Sequence, residues 1–389
     1  MANDLTLTQI STVLNEIVEQ ATGVKNQAAI DASQFVSVAQ TALKTGYDPL
    51  LNSISQVLSR TIFSVRPYTR KFRDIEADAQ RYGMITRKIS FGDSDWEDDQ
   101  RQGLTDGNSV DMYKVKKPPV LQLNYYGQNV FQRHYTVFRD QLDTAFSGPD
   151  EFARFVSGYI QTNADQIEQG HEGIARSTVA NYAAGLIKGG KPTQVIHLLT
   201  EYNEQSGQML GKTNIYAPQY YKTFFTWVYS RINQVREMMT ERTNIFHFDI
   251  TGKPTIMRHT PISDQRLYVM RPQLLQFDGN IRPDAYNERY LTLGVNESVN
   301  FWQSPDASDS INLKAVYLAA DGTLTEEAVE QDGIFGVLFD RDALGYTTVN
   351  NWSSPTPFNA AGGYSNVFFH WTDKYWNDFT ENGVVFLLD

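Results

Sequence analysis

The longest uninterrupted pattern of apolar positions in the chain runs from about Asp150 to Lys188. Phe152, Phe155, Val156, Tyr159, Ile160, Ala164, Ile167, Ile174, Val179, Tyr182, Ala183 and Leu186 recur at helical spacing and form one slowly drifting stripe. No proline interrupts the run. Ser147-Gly148-Pro149-Asp150 supplies a start signal, and Gly189-Gly190 followed by Pro192 supplies a stop. The spacing predicts a rod about 55 Å long at roughly 1.5 Å per residue, far longer than an average globular helix. Gly158, Gly170, Gly173 and Gly185 lie inside it, each costing ~1 kcal/mol relative to alanine, so packing has to hold the rod together. Such a rod is more often scaffold than active site.

Before the rod, residues 1–65 read as a helical arm. Leu7, Ile10, Val13, Leu14, Ile17 and Val18 form one apolar face, and Phe35, Val36, Val38, Ala39, Ala42 and Leu43 form a second. Pro49 opens a third segment carrying Leu50, Leu51, Ile54, Val57, Leu58 and Ile62. Short helices are marginal alone in water, so these faces need cover, either from the same chain or from a neighbouring subunit. After Arg66-Pro67 the pattern turns extended. Tyr82–Phe91 and Val120–Tyr126 read as strands of a long hairpin. One limb is acidic, with Asp93, Asp95, Glu97, Asp98 and Asp99; the other is basic, with Lys114, Lys116 and Lys117. Two readings stand for these charges: a solvated loop, or a projecting arm that pairs with a neighbouring molecule. Gln128–Phe146 passes from strand-like alternation into a short helix leading to the rod.

Beyond the rod a compact block of short elements is expected. Val195–Leu199 is short and apolar. Pro218 opens an amphipathic helix with Tyr221, Phe224, Phe225, Val228, Ile232, Val235 and Met239 on one face. Short strands are expected at 245–250, 255–259, 266–271, 290–295 and 311–318, with turn signals at Thr251-Gly252, Asp278-Gly279 and Asp321-Gly322. Gly333–Asp340 is a near-continuous apolar strand, residues 350–363 read as a loop, and Val384–Leu388 forms a last apolar strand. The chain is mixed, with helices and strands in separate blocks, so the fold class is α+β.

Composition narrows the function classes. The chain has 389 residues, 41% hydrophobic and 20% charged, which suits a globular protein of two or three subdomains. Aromatics reach 13%, favouring strand-rich packing and large protein surfaces. The net charge of -11 argues against bulk affinity for nucleic acid or anionic membrane. Cysteine is absent, which removes thiolate chemistry and any redox clue to compartment. No stretch approaches the length of a membrane span, and MANDLTLTQ lacks the basic start of a signal peptide.

Candidate chemistry is sparse. The six histidines are scattered and none falls in an HExxH spacing. The stretch DSDWEDD has Asp98 where a calcium loop needs glycine. His247 and Asp249 would share one strand face, a weak metal hint. No phosphate loop, dinucleotide fingerprint or nucleophile elbow occurs. Six tryptophans (96, 227, 302, 352, 371, 376) could stack on sugars, and the plentiful carboxylates leave an acid–base pair open.

The order of parts carries more information than any motif. Helical arm, charged hairpin, long helix, strand block and final apolar strand follow one another as in the major capsid proteins of tailed phages with the Hong Kong 97-type fold, which the chain resembles. SVRPYTRKF near 64–72, FQRHYTVFRDQLDTAF at 131–146, GVLFDRDALGY at 336–346 and YSNVFFHWTDKYWNDFTENGVVF at 364–386 are similar, more narrowly, to the head proteins of phi-29-like short-tailed podoviruses. The resemblance implies an N-terminal arm at 1–65, then a P-domain part at 66–189 with an E-loop hairpin at about 84–126 and a spine helix at about 150–188. An axial A domain at 190–345 and a C-terminal segment at 346–389, whose strand returns to the P domain, would complete the fold. It implies self-assembly into hexamers and pentamers of an icosahedral head enclosing double-stranded DNA, with no catalysis, cofactor or metal. Implied partners are other copies of the chain, portal and scaffolding proteins and a decoration protein, with weak non-specific contact to DNA and no membrane. The protein would be made in the cytoplasm of a bacterial host and reside in the virion. Asp93, Asp95, Glu97, Asp98, Asp99, Lys114, Lys116 and Lys117 would be inter-subunit contacts, and Gly158, Gly170 and Gly173 bend points of the spine. Residues 1–45 are not clearly matched, no appended immunoglobulin-like domain is expected, and no cross-linking residue is carried over. A tail or attachment component and a carboxylate-pair carbohydrate-active enzyme are the alternatives.

Overall fold

The computed structural model describes residues 15–19, 70–77, 85–92, 97–126, 128–253, 255–280 and 293–389. The expected arm lies outside these residues, except for a helical piece at 15–19 in which Ile17 and Val18 are buried. The periodic stretch is one helix, α2 (Pro149–Gly189), of 41 residues. Pro149 occupies its first turn, where a missing N–H costs nothing, and the Gly190 N–H bonds Leu186 O at 2.9 Å to close it. Its C-terminal part is immersed in the core: Thr178–Ala180 and Tyr182–Leu186 are all buried, so no polar stripe is needed there.

That immersion is made possible by a five-stranded sheet in the order β4-β12-β9-β5-β6. Its strands are β4 (Val195–His197), β5 (Gln265–Met270), β6 (Glu297–Val299), β9 (Ile334–Asp340) and β12 (Gly383–Leu387). Alternating side chains leave opposite faces of the sheet. Tyr268, Met270, Val337, Phe339, Val385 and Leu387 pack with α2 in one core. Leu267, Val269, Leu338, Val384 and Phe386 pack in a second core with the short helix α3 (Leu198–Ser206) and against α4 (Pro218–Met238), through Phe224, Phe225, Val228 and Ile232. The sheet is therefore the middle layer between two helices, and this explains why β9 and β12 read as unbroken apolar runs.

A second sheet, β10-β11-β3, joins the chain before and after the long helix. Here β3 (Asn129–Phe138) leads through α1 (Arg139–Ala145) into α2, while β10 (Leu344–Pro355) and β11 (Tyr364–Asn377) come from the end of the chain. The β11–β3 register runs from Tyr364↔Phe138 to Asp373↔Asn129. The strand that returns to the chain preceding α2 is thus β11; β12 hydrogen-bonds β4 and β9 instead. β7 (Ile311–Leu318) and β8 (Leu324–Gln331) form a hairpin beside α2, turned at Gly322 with φ 83°. β1 (Ile85–Phe91) and β2 (Val120–Tyr126) form the expected hairpin, registered from Ile85↔Tyr126 to Phe91↔Val120.

Several expected strands take other forms. Residues 245–250 bury Phe246, His247 and Phe248 but form no ladder; their backbone meets loops, as in Phe248 N–H to Phe379 O at 2.8 Å and Gly383 N–H to Phe246 O at 2.8 Å. In 255–259 only Arg258 bridges, to Thr243. Residues 290–292 lie outside the described residues, and 293–295 are irregular. Asp278-Gly279 is not a turn but the end of helix α5 (Arg271–Asn280). The loop expected from residue 350 begins later, because β10 continues to Pro355 against β11. β8 was not expected; LTEEAVEQ has one buried residue, Val329, and takes its extended form from pairing with β7.

The glycines of α2 divide into two kinds. A Cβ at Gly185 would collide with the Phe379 ring and lie 3.0 Å from Tyr317 Cβ. Phe379 cannot easily yield, since it stacks on Tyr182 at 5.2 Å and packs on Phe248 at 5.1 Å. Among the described residues nothing comes within 4 Å of such an atom at Gly158 or Gly173, and at Gly170 the nearest atom is Trp371 Cζ2 at 3.8 Å. Close crossing of the rod therefore falls at Gly185 and at Gly189, where a Cβ would collide with the Tyr317 ring, not at the three glycines nearer the N-terminus. We expect G185A to cost about 1–3 kcal/mol by overpacking, and G158A and G173A to stabilise by up to ~1 kcal/mol through helix propensity. Urea unfolding of the unassembled chain measures all three.

Candidate assembly surface

The hairpin formed by β1 and β2 carries many of the large apolar side chains exposed among the described residues. Its tip carries Leu104, Val110, Met112, Tyr113 and Val115, with Met112, Tyr113 and Val115 each about 80% exposed. Isolated exposed apolar side chains are ordinary, whereas contiguous ones are the usual mark of an interaction surface. Among the charged residues singled out in the sequence, Asp93 and Asp95 lie outside the described residues. Glu97 pairs within the chain with Lys116 at 3.2 Å and Lys114 at 3.6 Å. Lys116, together with Lys114, holds the Glu97 carboxyl below its ordinary value. Asp99 accepts from Arg101 Nε at 2.8 Å, and Asp98 and Lys117 are exposed. The opposed charges thus fasten one limb of the tip to the other, at a cost or gain that solvent and salt keep small.

The base of the hairpin is built differently. Lys88 Nζ lies 2.5 Å from Asp378 Oδ2 and 2.5 Å from Glu381 Oε1. Arg258 Nη1 is 3.2 Å from Glu381 Oε1, and its Nη2 donates to Ser90 Oγ at 2.8 Å. Burial opposes the charge of Lys88, but Asp378 and Glu381 outweigh it and raise the lysine's pKa. Burial pushes the Glu381 carboxyl up in spite of Lys88 and Arg258. Burial, with Asp378 next, also drives the Tyr125 hydroxyl far above its ordinary range. These groups lie beneath β1 and β2, and the Asp378 side chain is only 1% exposed. A carboxylate pair covered in this way offers no path to a glycosidic substrate.

A second polar cluster ties residues 70–76 to α2 and to the second sheet. Arg70 donates to Glu168 Oε1 at 2.6 Å, to Tyr346 Oη at 2.8 Å and to Glu76, and its Nη1 meets His171 Nδ1 at 3.2 Å. On the other side of the imidazole, Nε2 lies 3.5 Å from Asp373, which accepts from Thr348 Oγ1 at 2.9 Å. Burial lowers the His171 pKa and raises that of Asp373. Phe72, at φ 62°, is held in this strained form because its buried ring packs on Tyr268 at 5.3 Å and under Arg176 at 5.2 Å. Helical spacing puts Glu168 and His171 side by side on α2, but the approach of Arg70, 98 and 101 residues away in sequence, could not be read there.

The remaining sequence candidates are structural. His247 and Asp249 approach to 3.7 Å, but His247 Nδ1 faces Asn382 Oδ1 at 3.2 Å and Asp249 pairs with Lys191 at 2.7 Å. They border a shallow recess lined also by Leu121, Ile256 and Thr380. Among the described residues no group of three or more His, Cys, Asp or Glu side chains could hold a metal, and no helix is long and apolar enough to cross a membrane. Trp302 is buried with its indole N–H on Ile334 O at 2.9 Å, Trp227 donates to Gln205 at 2.9 Å, and Trp371 stacks on Phe131. Trp352 is 53% exposed but is stacked on His370 at 4.0 Å.

A long helix packed on a mixed sheet, with strands that join the chain before and after that helix, makes up a fold that phage capsid structures share. The capsid structure of Staphylococcus phage Andhra shares it, with a TM-score of 0.57 at 10% identity, covering 83% of this chain and 85% of that one. The structure of head fiber and inner core protein gp22 of native bacteriophage P68 is similar at TM-score 0.54 and 10% identity, covering 82% and 85%. No curated protein matches the sequence. The chain belongs to the Phi29-like phage major capsid protein family, whose model it matches over residues 10–387. Its role is therefore structural: it is a capsid protein of the virion and assembles into a lattice with its own copies.

The buried histidines give the fold a pH dependence. Burial lowers the pKa of His247 against the smaller raising effects of Asn382 and Asp249, and His171 shifts the same way. A base with a depressed folded pKa contributes stability that is present above its unfolded pKa, about 6.5, and is lost as pH falls below it. Urea unfolding at about pH 7.5 and about pH 5.5 should show a loss on acidification. H247Q, which keeps a polar group but no titration, should show a smaller loss; an unchanged pH slope would remove His247 from the account.

Proposed function

We propose that the chain is the repeating subunit of hexamers and pentamers that close into an icosahedral head around double-stranded DNA. The family match over residues 10–387 carries this reading. In it, residues 66–189 with α2 as spine and β3 form the P-domain part, and the hairpin at about 84–126 is the E-loop. The block at 190–345 is the axial A domain and 1–65 the N-terminal arm. In the segment 346–389, β11 makes the return to the P domain by pairing with β3, while β12 completes the A-domain sheet. Asp93, Asp95, Glu97, Asp98, Asp99, Lys114, Lys116 and Lys117 would meet a neighbouring subunit together with Met112, Tyr113 and Val115. The apolar side chains supply the buried area, and the charges supply register.

The reading needs no catalytic centre. A net charge of -11 keeps contact with packaged DNA weak, which lets the genome move during filling. The chain would be made in the cytoplasm of a bacterial host and would meet portal, scaffolding and decoration proteins during assembly. Electron microscopy of the expressed chain, alone and with its neighbouring genes, should reveal shells. A strictly monomeric protein with scaffold, under crowding and at every salt, would overturn the reading. The triple variant K114E/K116E/K117E should lower particle yield several-fold while leaving circular dichroism unchanged; normal yield removes the hairpin charges from assembly. If Gly170 and Gly173 let the spine bend between precursor and mature shells, G170A/G173A should form precursors that expand slowly. Expansion at the normal rate would end that idea and leave the spine assignment standing.

A further inference from the structure

Among the described residues the strands β1 and β2 form a backbone ladder only with each other, so this ladder does not fix the hairpin's direction relative to the body. The turn Asp378–Asn382, between β11 and β12, meets it from the body, beside Arg258 and the recess that the buried Leu121 of β2 shares with residues 247–250 and Ile256. That turn is unusually well held. Asp378 N–H bonds Ala343 O at 2.6 Å, and Asp340 N–H bonds Asn382 O at 2.9 Å. Phe379 stacks on Tyr182 of α2, and Asn382 Nδ2 donates to Thr260 Oγ1 at 3.1 Å. The Asp378 carboxylate is oriented by Thr380, whose N–H and hydroxyl reach Oδ1 at 2.9 and 2.6 Å. Its other oxygen faces Lys88 of β1. Arg258, whose Nε donates to Thr380 O at 3.2 Å, reaches across to Ser90 of the same strand.

We infer that Lys88, Arg258, Asp378 and Glu381 act as an ionic latch that sets the angle at which the hairpin leaves the body. The inference rests on the proposal that the hairpin is an inter-subunit arm, and it assigns the residues that position that arm. Two cations and two carboxylates balance, so the latch is neutral when closed. Its members are largely shielded, with side-chain exposures of 25% for Lys88, 17% for Arg258, 1% for Asp378 and 10% for Glu381. Shielding makes the geometry directional, because a partner swung away would leave a buried charge facing nothing. A lattice subunit needs such a device: a small change of angle at the base becomes a displacement of several ångströms at Met112 and Tyr113, where the neighbour is met. The latch also links the arm to the long helix through Phe379 and Tyr182, so a shift of the helix in the core would be felt at the base of the hairpin.

The absence of native cysteine allows a direct test. Nitroxides at M112C on the tip and M209C on the body, where the methionines are 80% and 95% exposed, report the arm angle by pulsed electron spin resonance on the unassembled full chain. The unmodified latch should give one narrow distance distribution. K88M should broaden or shift it with the circular dichroism of the fold retained, and K88R should restore it. If K88M fails to fold, the milder E381Q provides the same readout. An unchanged distribution in a folded K88M or E381Q chain overturns the latch, whatever the state of assembly. Loss of shells from the wild-type chain, with a distribution that still responds to K88M, would instead count against the capsid-arm reading and leave the latch standing.

Discussion

The constraint on which the rest depends is the burial of α2 at Thr178–Ala180 and Tyr182–Leu186, which leaves only Asn181 partly open. A helix packed this closely approaches its neighbours best through small residues, and Ala175, Ala180, Ala183, Ala184 and Gly185 provide them. Tyr182 is the largest of the bulky residues buried there, beside Val179 and Leu186, and its ring is accommodated because Phe379 stacks on it and Phe339 meets it edge-on. Since β12, β9 and β5 pack on this segment, and β7 lies along it, the helix fixes where each enters the core. The second core behind the sheet, against α4, then follows from strand alternation alone. Remove the close approach at Gly185 and the turn carrying Phe379 has no seat.

The same turn connects stability with the assembly surface. It is apolar toward α2 through Phe379 and ionic toward the hairpin through Asp378 and Glu381. Burying charge is costly, and a pair of this kind seldom adds net stability over apolar residues of the same size. What it adds is direction. The Arg70 cluster has the same character, holding residues 70–76 against Glu168, His171 and Tyr346. Both clusters lie where a segment of the chain leaves the core, which is where orientation matters more than depth of packing.

Legibility in the sequence followed pattern length. α2 spans Pro149–Gly189 against an expected 150–188, because forty residues of one periodicity leave little to tertiary context. The apolar runs of β9 and β12 and the amphipathic face of α4 were equally plain. Short segments failed where tertiary bonding decides. Residues 245–250 look like a strand because Phe246 and Phe248 must be buried, yet their backbone groups are satisfied by a turn and not by a ladder. β8 was hidden by its carboxylates, which face solvent while β7 supplies the pairing. The hairpin was visible as two strands around a charged tip, but its base was not. Lys88 and Asp378 are 290 residues apart, and nothing local marks them as partners.

Separating tip from base changes what the hairpin's charges are for. At the tip, Glu97, Lys114 and Lys116 are exposed and already paired within the chain, so salt and solvent keep their interaction weak and easily exchanged. Weak, exchangeable charge suits a contact that has to be made and corrected during assembly. At the base, Lys88 and Arg258 face shielded carboxylates in fixed positions, and exchange there would strand a charge. On the proposal that the hairpin is an inter-subunit arm, a lattice that closes without defects needs both properties in it, a reversible grip at its end and a fixed angle at its root. The charges of the limbs would supply the first; the second needs a fold that brings together residues from β1, the 255–259 segment and the β11–β12 turn.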